Sequence, residues 1–131
     1  MPTSGDTKKV TSIMYENEII QMRDQAYDAW QSGGSYTGLI GLCQTFMATA
    51  TSPIAIATKA ILEYVDFMSE LTENYYQDLF DAYQDAQDLM QGAGPILYYD
   101  VKQEYVYVTK GSTGAWITKK LPTFVGHFDD H

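Results

Sequence analysis

Hydrophobic and polar residues follow a helical period in the first two thirds of this chain and a strand period in the last third. From Tyr15 to Trp30, apolar residues recur every three or four positions with charged residues between them, which predicts a helix over residues 11–31. The glycine pair that follows, residues 33–34, is typical of a helix end. Residues 1–10 are polar and are predicted to form a flexible N-terminal arm.

Residues 29–58 carry no charged side chain, and a helix is predicted within them over residues 36–50. One face of this helix would carry the larger side chains, which are Leu39, Ile40, Leu42, Phe46 and Met47. The opposite face includes Gly38, Gly41 and Thr45, and such small residues let another helix approach closely. A buried helix packed on both sides is one interpretation. A membrane-inserting hairpin over residues 35–58, split at Pro53, is the other.

A third and much longer helix is predicted over residues 53–91, ending at the glycine-rich segment of residues 92–95. At ~100° per residue its eight acidic residues fall within roughly 140°, whereas apolar residues cover about 180° of the other side. Phe67 is the one large apolar residue among the acids. The predicted acidic face consists of Glu63, Asp66, Glu70, Glu73, Asp78, Asp81, Asp85 and Asp88.

The long helix would measure about 58 Å, so the two shorter helices would just cover it as a helical hairpin with a broken first arm. Two layers leave part of so wide an apolar arc uncovered, and another copy of the chain is the simplest cover. We therefore predict a subunit interface on the flanks of that arc and on the small-residue face. Its residues are Leu71, Tyr75, Tyr76, Leu79, Phe80, Tyr83, Gly38, Gly41 and Thr45.

The last third of the chain is rich in Tyr and Val at a period of two, which predicts three short strands between residues 96 and 118. Turns at residues 100–103 and 110–114 would join them into an antiparallel meander, followed by an irregular tail. The predicted fold is mainly α within the α+β class. It consists of a helical domain over residues 11–91 and a β-meander with a tail over residues 92–131, packed on the helices or on a neighbouring subunit.

Negative charge is concentrated in the predicted long helix. The chain has a formal charge of −9, and residues 60–90 hold eight acids and no base. A surface of this sign repels phosphate, so we expect no direct binding of nucleic acid. A basic protein is the partner that fits this charge, and contact with a membrane is not favoured.

No residues are arranged for catalysis or for a cofactor, so we predict a protein that is not an enzyme and holds neither cofactor nor metal. Cys43, the single cysteine, lies in an apolar stretch and is expected to be buried. His127, Asp129 and His131 alternate as metal ligands can, but no companion motif accompanies them. We expect a polar tail there instead.

Three hypotheses of function follow. The first is a self-associating structural protein, a subunit of a ring, shell, filament, virion or secretion-type assembly. The second is a membrane-active protein, pore-forming or bacteriocin-like, that inserts residues 35–58. The third is an acidic decoy or inhibitor whose acids imitate phosphates toward a basic protein. Residues 1–10 lack the apolar stretch of a signal peptide, a feature that a mature secreted or virion-associated form would share, so no compartment is predicted.

Overall fold

The computed structural model describes residues 1–92 and 96–128 of the chain. Within those ranges it contains four α-helices and an antiparallel sheet of four strands. The predicted α+β class is confirmed, but the order of elements begins with a strand. The elements in chain order are β1 (Thr7–Met14), α1 (Glu16–Gln31), α2 (Tyr36–Ala48), α3 (Lys59–Tyr64), a 3-10 turn (Phe67–Glu70), α4 (Tyr75–Met90), β2 (Tyr98–Lys110), β3 (Thr113–Ile117) and β4 (Thr123–His127).

The first strand stands where a flexible arm and the start of a helix were predicted. It pairs antiparallel with β2 along its whole length. Val10, Ser12 and Met14 alternate into the core, and all three are almost fully buried. The prediction was wrong because the polar Ser12 hides the alternation of apolar residues. Its hydroxyl is hydrogen-bonded to the hydroxyl of Thr49, which makes the buried position tolerable.

The long strand β2 is the centre of the sheet. It pairs with β1 on one edge, and on its other edge it pairs first with β4 and then with β3. The helices α1, α2 and α4 cover one face, which we call the inner face. The hydroxyl of Tyr99 donates to the carbonyl of Ala86 in α4 at 2.8 Å, and Tyr105 packs on Phe46 of α2 with ring centroids 6.0 Å apart.

The strand β2 runs without interruption through residues 100–103, where a turn was predicted. Asp100 and Lys102 point outward between inward neighbours, so a strand with one polar face resembled a turn in sequence. The inward Gln103 is buried, and its Nε2 donates to the Lys120 carbonyl at 2.7 Å. The turn between β2 and β3 falls inside the predicted residues 110–114, with Gly111 at a φ of +62°. The strand β4 lies where an irregular tail was predicted.

The predicted continuous helix over residues 53–91 is divided into three parts. At its start the chain is extended, since the N–H of Ala57 donates to the carbonyl of Trp116 at 2.8 Å. The N–H of Trp116 in turn donates to the carbonyl of Ala55 at 3.0 Å. This contact with the edge of β3 outweighs the local helix signal at Pro53, and α3 begins only after Thr58.

The predicted helix is interrupted a second time at Asp66, and the reason is the burial of the next residue, Phe67. Asp66 adopts a left-handed conformation with a φ of 53°, and the 3-10 turn follows. In a continuous helix Phe67 would lie among the acids, in water, whereas here it is 0% exposed. Burying a Phe side chain contributes about 1.5–3 kcal/mol, more than the helix propensity of the few residues at the break.

The helices α1 and α4 pack antiparallel, so the predicted helical hairpin is present in part. Gln91 donates to the Glu16 carboxylate at 2.9 Å at one end of the pair, and Tyr27 lies on Phe80 toward the other. The helix α2 has nearly the predicted bounds. It packs against α1 at its small residues, as a Cβ placed on Gly38 would lie 2.8 Å from the Cβ of Ala29.

Candidate interaction surfaces

Three aromatic side chains form a cluster on the outer surface of the α1/α4 pair. The rings of Tyr27 and Trp30 meet edge to face with centroids 5.9 Å apart, and Tyr27 lies 5.8 Å from Phe80 of α4. Tyr27 and Trp30 are 44% and 42% exposed, and Phe80 is partly buried. We call Tyr27, Trp30 and Phe80 the aromatic patch. Aromatic rings held half out of water on two packed helices are typical of protein contact sites.

A groove of about 380 Å³ continues from the aromatic patch at Trp30. It exists because the chain turns at Gly33 and Gly34, which both have positive φ values of 87° and 70°. Gly34 also touches the ring of Tyr76, since a Cβ there would lie 2.9 Å from Tyr76 Cε2. Met68, Leu71 and Tyr76 supply apolar walls, and Glu73 supplies a carboxylate at the rim.

Four of the nine residues predicted for a subunit interface lie inside the chain's own core. Tyr75, Tyr76, Leu79 and Tyr83 are between 0% and 8% exposed, so they are not available to a partner in this structure. The physical reason is that the chain covers the apolar side of α4 itself. Tyr83 packs on Phe124 of β4, the Tyr75 hydroxyl donates to the carbonyl of Lys120, and Tyr76 packs on Gly34. Leu71 and Phe80 remain partly accessible, in the groove and in the aromatic patch respectively.

The small-residue face of α2 is divided between two environments. Gly38 is taken up by the close contact with α1, whereas Gly41 and Thr45 line a second groove of about 350 Å³ between α1 and α2. A Cβ on Gly41 would meet no described atom within 4 Å. Gln25 also lines this groove, and its Oε1 is buried without a hydrogen-bond partner in the described part of the chain.

All eight residues of the predicted acidic face are exposed, although they do not share one helix. The four from Glu63 to Glu73 belong to α3, the 3-10 turn and their flanks, and the four from Asp78 to Asp88 lie on α4. Among the described residues, Glu70 is the one of the eight that forms an ion pair, with Lys119 at 2.7 Å. The outer side of the helices is therefore strongly negative.

The opposite side of the molecule carries lysines. On the face of the sheet that points away from α1, α2 and α4, Lys9 and Lys102 are exposed beside Glu104, which stands directly opposite Lys9. Lys120 from the β3–β4 connection completes a shallow cavity of about 210 Å³. We call Lys9, Lys102 and Lys120 the lysine surface. None of the three forms an ion pair in residues 1–92 or 96–128.

The reactive groups of the interior are held in their neutral forms. Burial raises the pKa of the Cys43 thiol to about 12, and hydrogen bonds with the Thr118 backbone and the Tyr105 side chain oppose this shift only in part. Burial likewise raises the pKa of Tyr105, Tyr75 and Tyr83. A thiol is a poor nucleophile, so Cys43 is expected to be inert in the folded protein.

His127 lies on β4, where its Nε2 is 3.0 Å from Asp100 Oδ2 and its ring stacks on Tyr98 at 4.6 Å. Its predicted companions in the terminal pattern, Asp129 and His131, fall outside the described residues. No group of three or more potential metal-ligating side chains is present in the part of the chain that the structure describes. Over the same residues, no helix is both long enough and apolar enough to cross a bilayer.

Comparison with known proteins assigns no family to this fold. No family model matches the chain, and neither a curated protein nor a solved structure is significantly similar to it.

The lysine surface was not predicted from the sequence, and of the aromatic patch only Phe80 was among the predicted interface residues. Tyr27 fits the apolar spacing of α1, so nothing in the pattern distinguishes its half-exposed ring from a core residue. The lysine surface depends on the pairing of β1 with β2, which brings Lys9 beside residues far along the chain. The alternation of residues 7–14 was the available signal, and Ser12 obscured it.

Proposed function

We propose that this chain is a non-enzymatic, self-associating structural protein, a subunit of a larger assembly, and that its copies contact one another through the aromatic patch. The observation that supports this function is the half-exposed cluster of Tyr27, Trp30 and Phe80 with the adjoining groove. An apolar cluster of this kind is costly to leave in water, and protein contact is the usual reason that one is present.

The patch has the composition of a contact centre. Trp and Tyr are the residue types that contribute most to protein interfaces, since they are large, rigid and partly polar. Its rings are held by two helices that are packed on each other, so little conformational freedom is lost on binding. Glu73 and the exposed acids of α4 provide a polar rim.

Pairing of sheet edges is the less favoured mode of association. The outer edge of β1 already receives a hydrogen bond from Thr51 to the carbonyl of Thr11 at 2.9 Å. The outer edge of β3 is bonded to residues 55–57. Such covered edges limit strand-to-strand association of copies.

Light scattering after gel filtration tests this proposal, with the absolute mass measured at two protein concentrations. The wild-type chain is expected to form a species larger than 14.7 kDa that grows with concentration. Trp30→Ala is expected to weaken the association by about 2 kcal/mol or more, as removal of a central aromatic does. Tyr64→Ala is the matched control, because Tyr64 is 65% exposed but lies outside the patch.

A monomer at every concentration would refute self-association. Association that Trp30→Ala and Tyr64→Ala weaken equally would refute the patch as its contact. Trp116→Phe provides a second measurement, since Trp30 is then the sole indole in the chain. Its emission is expected to shift to shorter wavelength as copies associate and water leaves the ring.

A basic protein partner is the second candidate, and one observation favours it. All eight acids of the predicted acidic face are exposed, and seven of them have no ion-pair partner among the described residues. A monomeric chain that binds a basic protein in a salt-dependent manner would support this alternative.

A further inference from the structure

We infer that copies of this chain associate head to tail, with the lysine surface of one copy docked on the outer surface of α1 and α4 of the next. This inference rests on the proposed function and names both halves of the contact. It starts from two faces of the same molecule that carry opposite charge and lie on opposite sides of the sheet.

The helices α1 and α4 and the strand segments of the sheet differ in formal charge by eleven units. The helices α1 and α4 hold eight carboxylates and one guanidinium, a formal charge of −7. Residues 7–14 and 98–127 hold six lysines and two carboxylates, a formal charge of +4 with neutral histidine. Complementary faces on one molecule favour contact between unlike faces of two copies and steer their encounter.

The lysine surface is free to take part. Lys9 and Lys102 are exposed on the sheet face that points away from α1, α2 and α4, at the end that none of the described helices covers. Lys120 lies beside them at the same cavity. The far end of this face is occupied, because Lys110 lies over the ring of Tyr64 from α3 at 5.6 Å. Glu104 offsets one of the three positive charges, which leaves a net charge of +2 at the cavity.

The two surfaces also match in their apolar parts. Leu121 and Val125, near the lysines, are 45% and 44% exposed. In the inferred contact their apolar side chains pack on the aromatic patch of the next copy. Lysine stems pack on aromatic rings while their ammonium groups reach neighbouring carboxylates. On the partner surface, Asp28 lies between Tyr27 and Trp30 in sequence, and Asp81 follows Phe80.

A twofold contact between two helical surfaces is disfavoured by the same charges. It would bring together two faces of −7 each, and like charges across an interface reduce both the affinity and the rate of association. A contact between unlike faces is heterologous, and each added copy presents a fresh surface of each kind. The product is therefore a ring if the rotation closes and a filament if it does not.

Charge reversal of each face, followed by mixing, tests the inference. The first variant is Lys102→Glu with Lys120→Glu, which leaves Lys9 in place because its reversal would set like charges opposite Glu104. The second variant is Asp28→Lys with Asp78→Lys, Asp81→Lys and Asp85→Lys, all at exposed positions of α1 and α4, which changes the formal charge of the two helices from −7 to +1. The matched control for the first variant is Lys59→Glu with Lys110→Glu, which changes the net charge by the same amount but lies off the lysine surface. Circular dichroism checks that each variant is folded.

Each reversed variant alone is expected to associate at least about tenfold more weakly than the wild type, and the control is expected to associate like the wild type. An equal mixture of the two reversed variants is expected to regain assembly, because each provides the face that complements the other. Wild-type association that the lysine variant leaves unchanged, or a mixture that stays dissociated, would overturn the head-to-tail contact and leave self-association standing. A monomeric wild type would refute the proposed function and this inference together.

Discussion

Gly38 and Ala29 are in such close contact that a single added methyl group at Gly38 would lie 2.8 Å from the Cβ of Ala29. The contact sets the distance between α2 and α1, and therefore also the groove in which Gly41 stands open. Packing of α2 on α1 therefore requires a glycine at position 38 but not at position 41.

Gly38→Ala is expected to lower the free energy of unfolding by roughly 1–3 kcal/mol, because the neighbour is the Cβ of a core residue that cannot move aside. Gly41→Ala is the matched control and is expected to raise it by about 0.5–1 kcal/mol, since alanine is favoured in a helix interior. Urea unfolding of both variants provides the measurement. Equal effects of the two substitutions would contradict the observed helix contact.

Deletion of residues 1–10 distinguishes a strand from a flexible arm. It removes Val10 from the core, and burial of that side chain alone contributes about 1.5–3 kcal/mol. Deletion of residues 1–4 is expected to change the stability by less than about 0.5 kcal/mol, because it keeps the bond from Gly5 to Tyr107. The midpoint of thermal unfolding is measured for both deletion variants. An unchanged midpoint for the longer deletion would show that residues 7–10 do not form part of a stabilising strand.

Alkaline pH is expected to destabilise the fold. Burial raises the pKa of Cys43 from 9.0 to about 12 and that of Tyr76 from 10.0 to about 12. The unfolded chain therefore loses these protons first. Stability is fully present below pH 9. Cys43 lowers it by about 1.4 kcal/mol per pH unit as the pH rises from 9 toward 12, and Tyr76 adds a smaller loss above pH 10.

Urea unfolding at a series of pH values from 8 to 11 measures this loss. Tyr76→Phe removes one of the groups, so its stability is expected to fall less steeply with pH than that of the wild type. A stability that stays constant up to pH 11 would show that these groups are not buried as described.

Substitution by phenylalanine at Tyr83 and at Tyr99 compares two buried hydroxyls that differ in their hydrogen bonding. The Tyr83 hydroxyl is buried without a hydrogen-bond partner in the described residues, whereas that of Tyr99 donates to Ala86. Tyr99→Phe is expected to cost about 0.5–1.5 kcal/mol, and Tyr83→Phe is expected to be neutral or stabilising by up to about 1 kcal/mol. The reverse order of stabilities in chemical denaturation would contradict the two assignments.

The sequence pattern predicts those elements whose apolar face is decided locally. The helix α2 has nearly the predicted bounds because its large side chains share one face and Ser35 caps its start. The body of α1 was predicted for the same reason. The acids of α4 were expected to face water, and all of them do.

The remaining errors come from contacts between distant parts of the chain. The segment before α3 is held extended by Trp116, and Phe67 is drawn into a core that the long helix could not have reached. The interface residues were predicted for a helix with one uncovered side, but Tyr75, Tyr76, Leu79 and Tyr83 are buried within the chain itself. The lysine surface cannot be predicted without the pairing of β1 and β2.

That pairing also constrains how the protein folds as it is made. Thr7 of β1 pairs with Val106 of β2, so β1 leaves the ribosome long before the strand with which it forms hydrogen bonds. The helical segments can form early, but the sheet closes only when most of the chain has been translated. Contacts between such distant residues slow folding. Until β2 appears, the nascent chain exposes an unpaired strand and an unfilled core, the state in which chaperones protect a protein from aggregation.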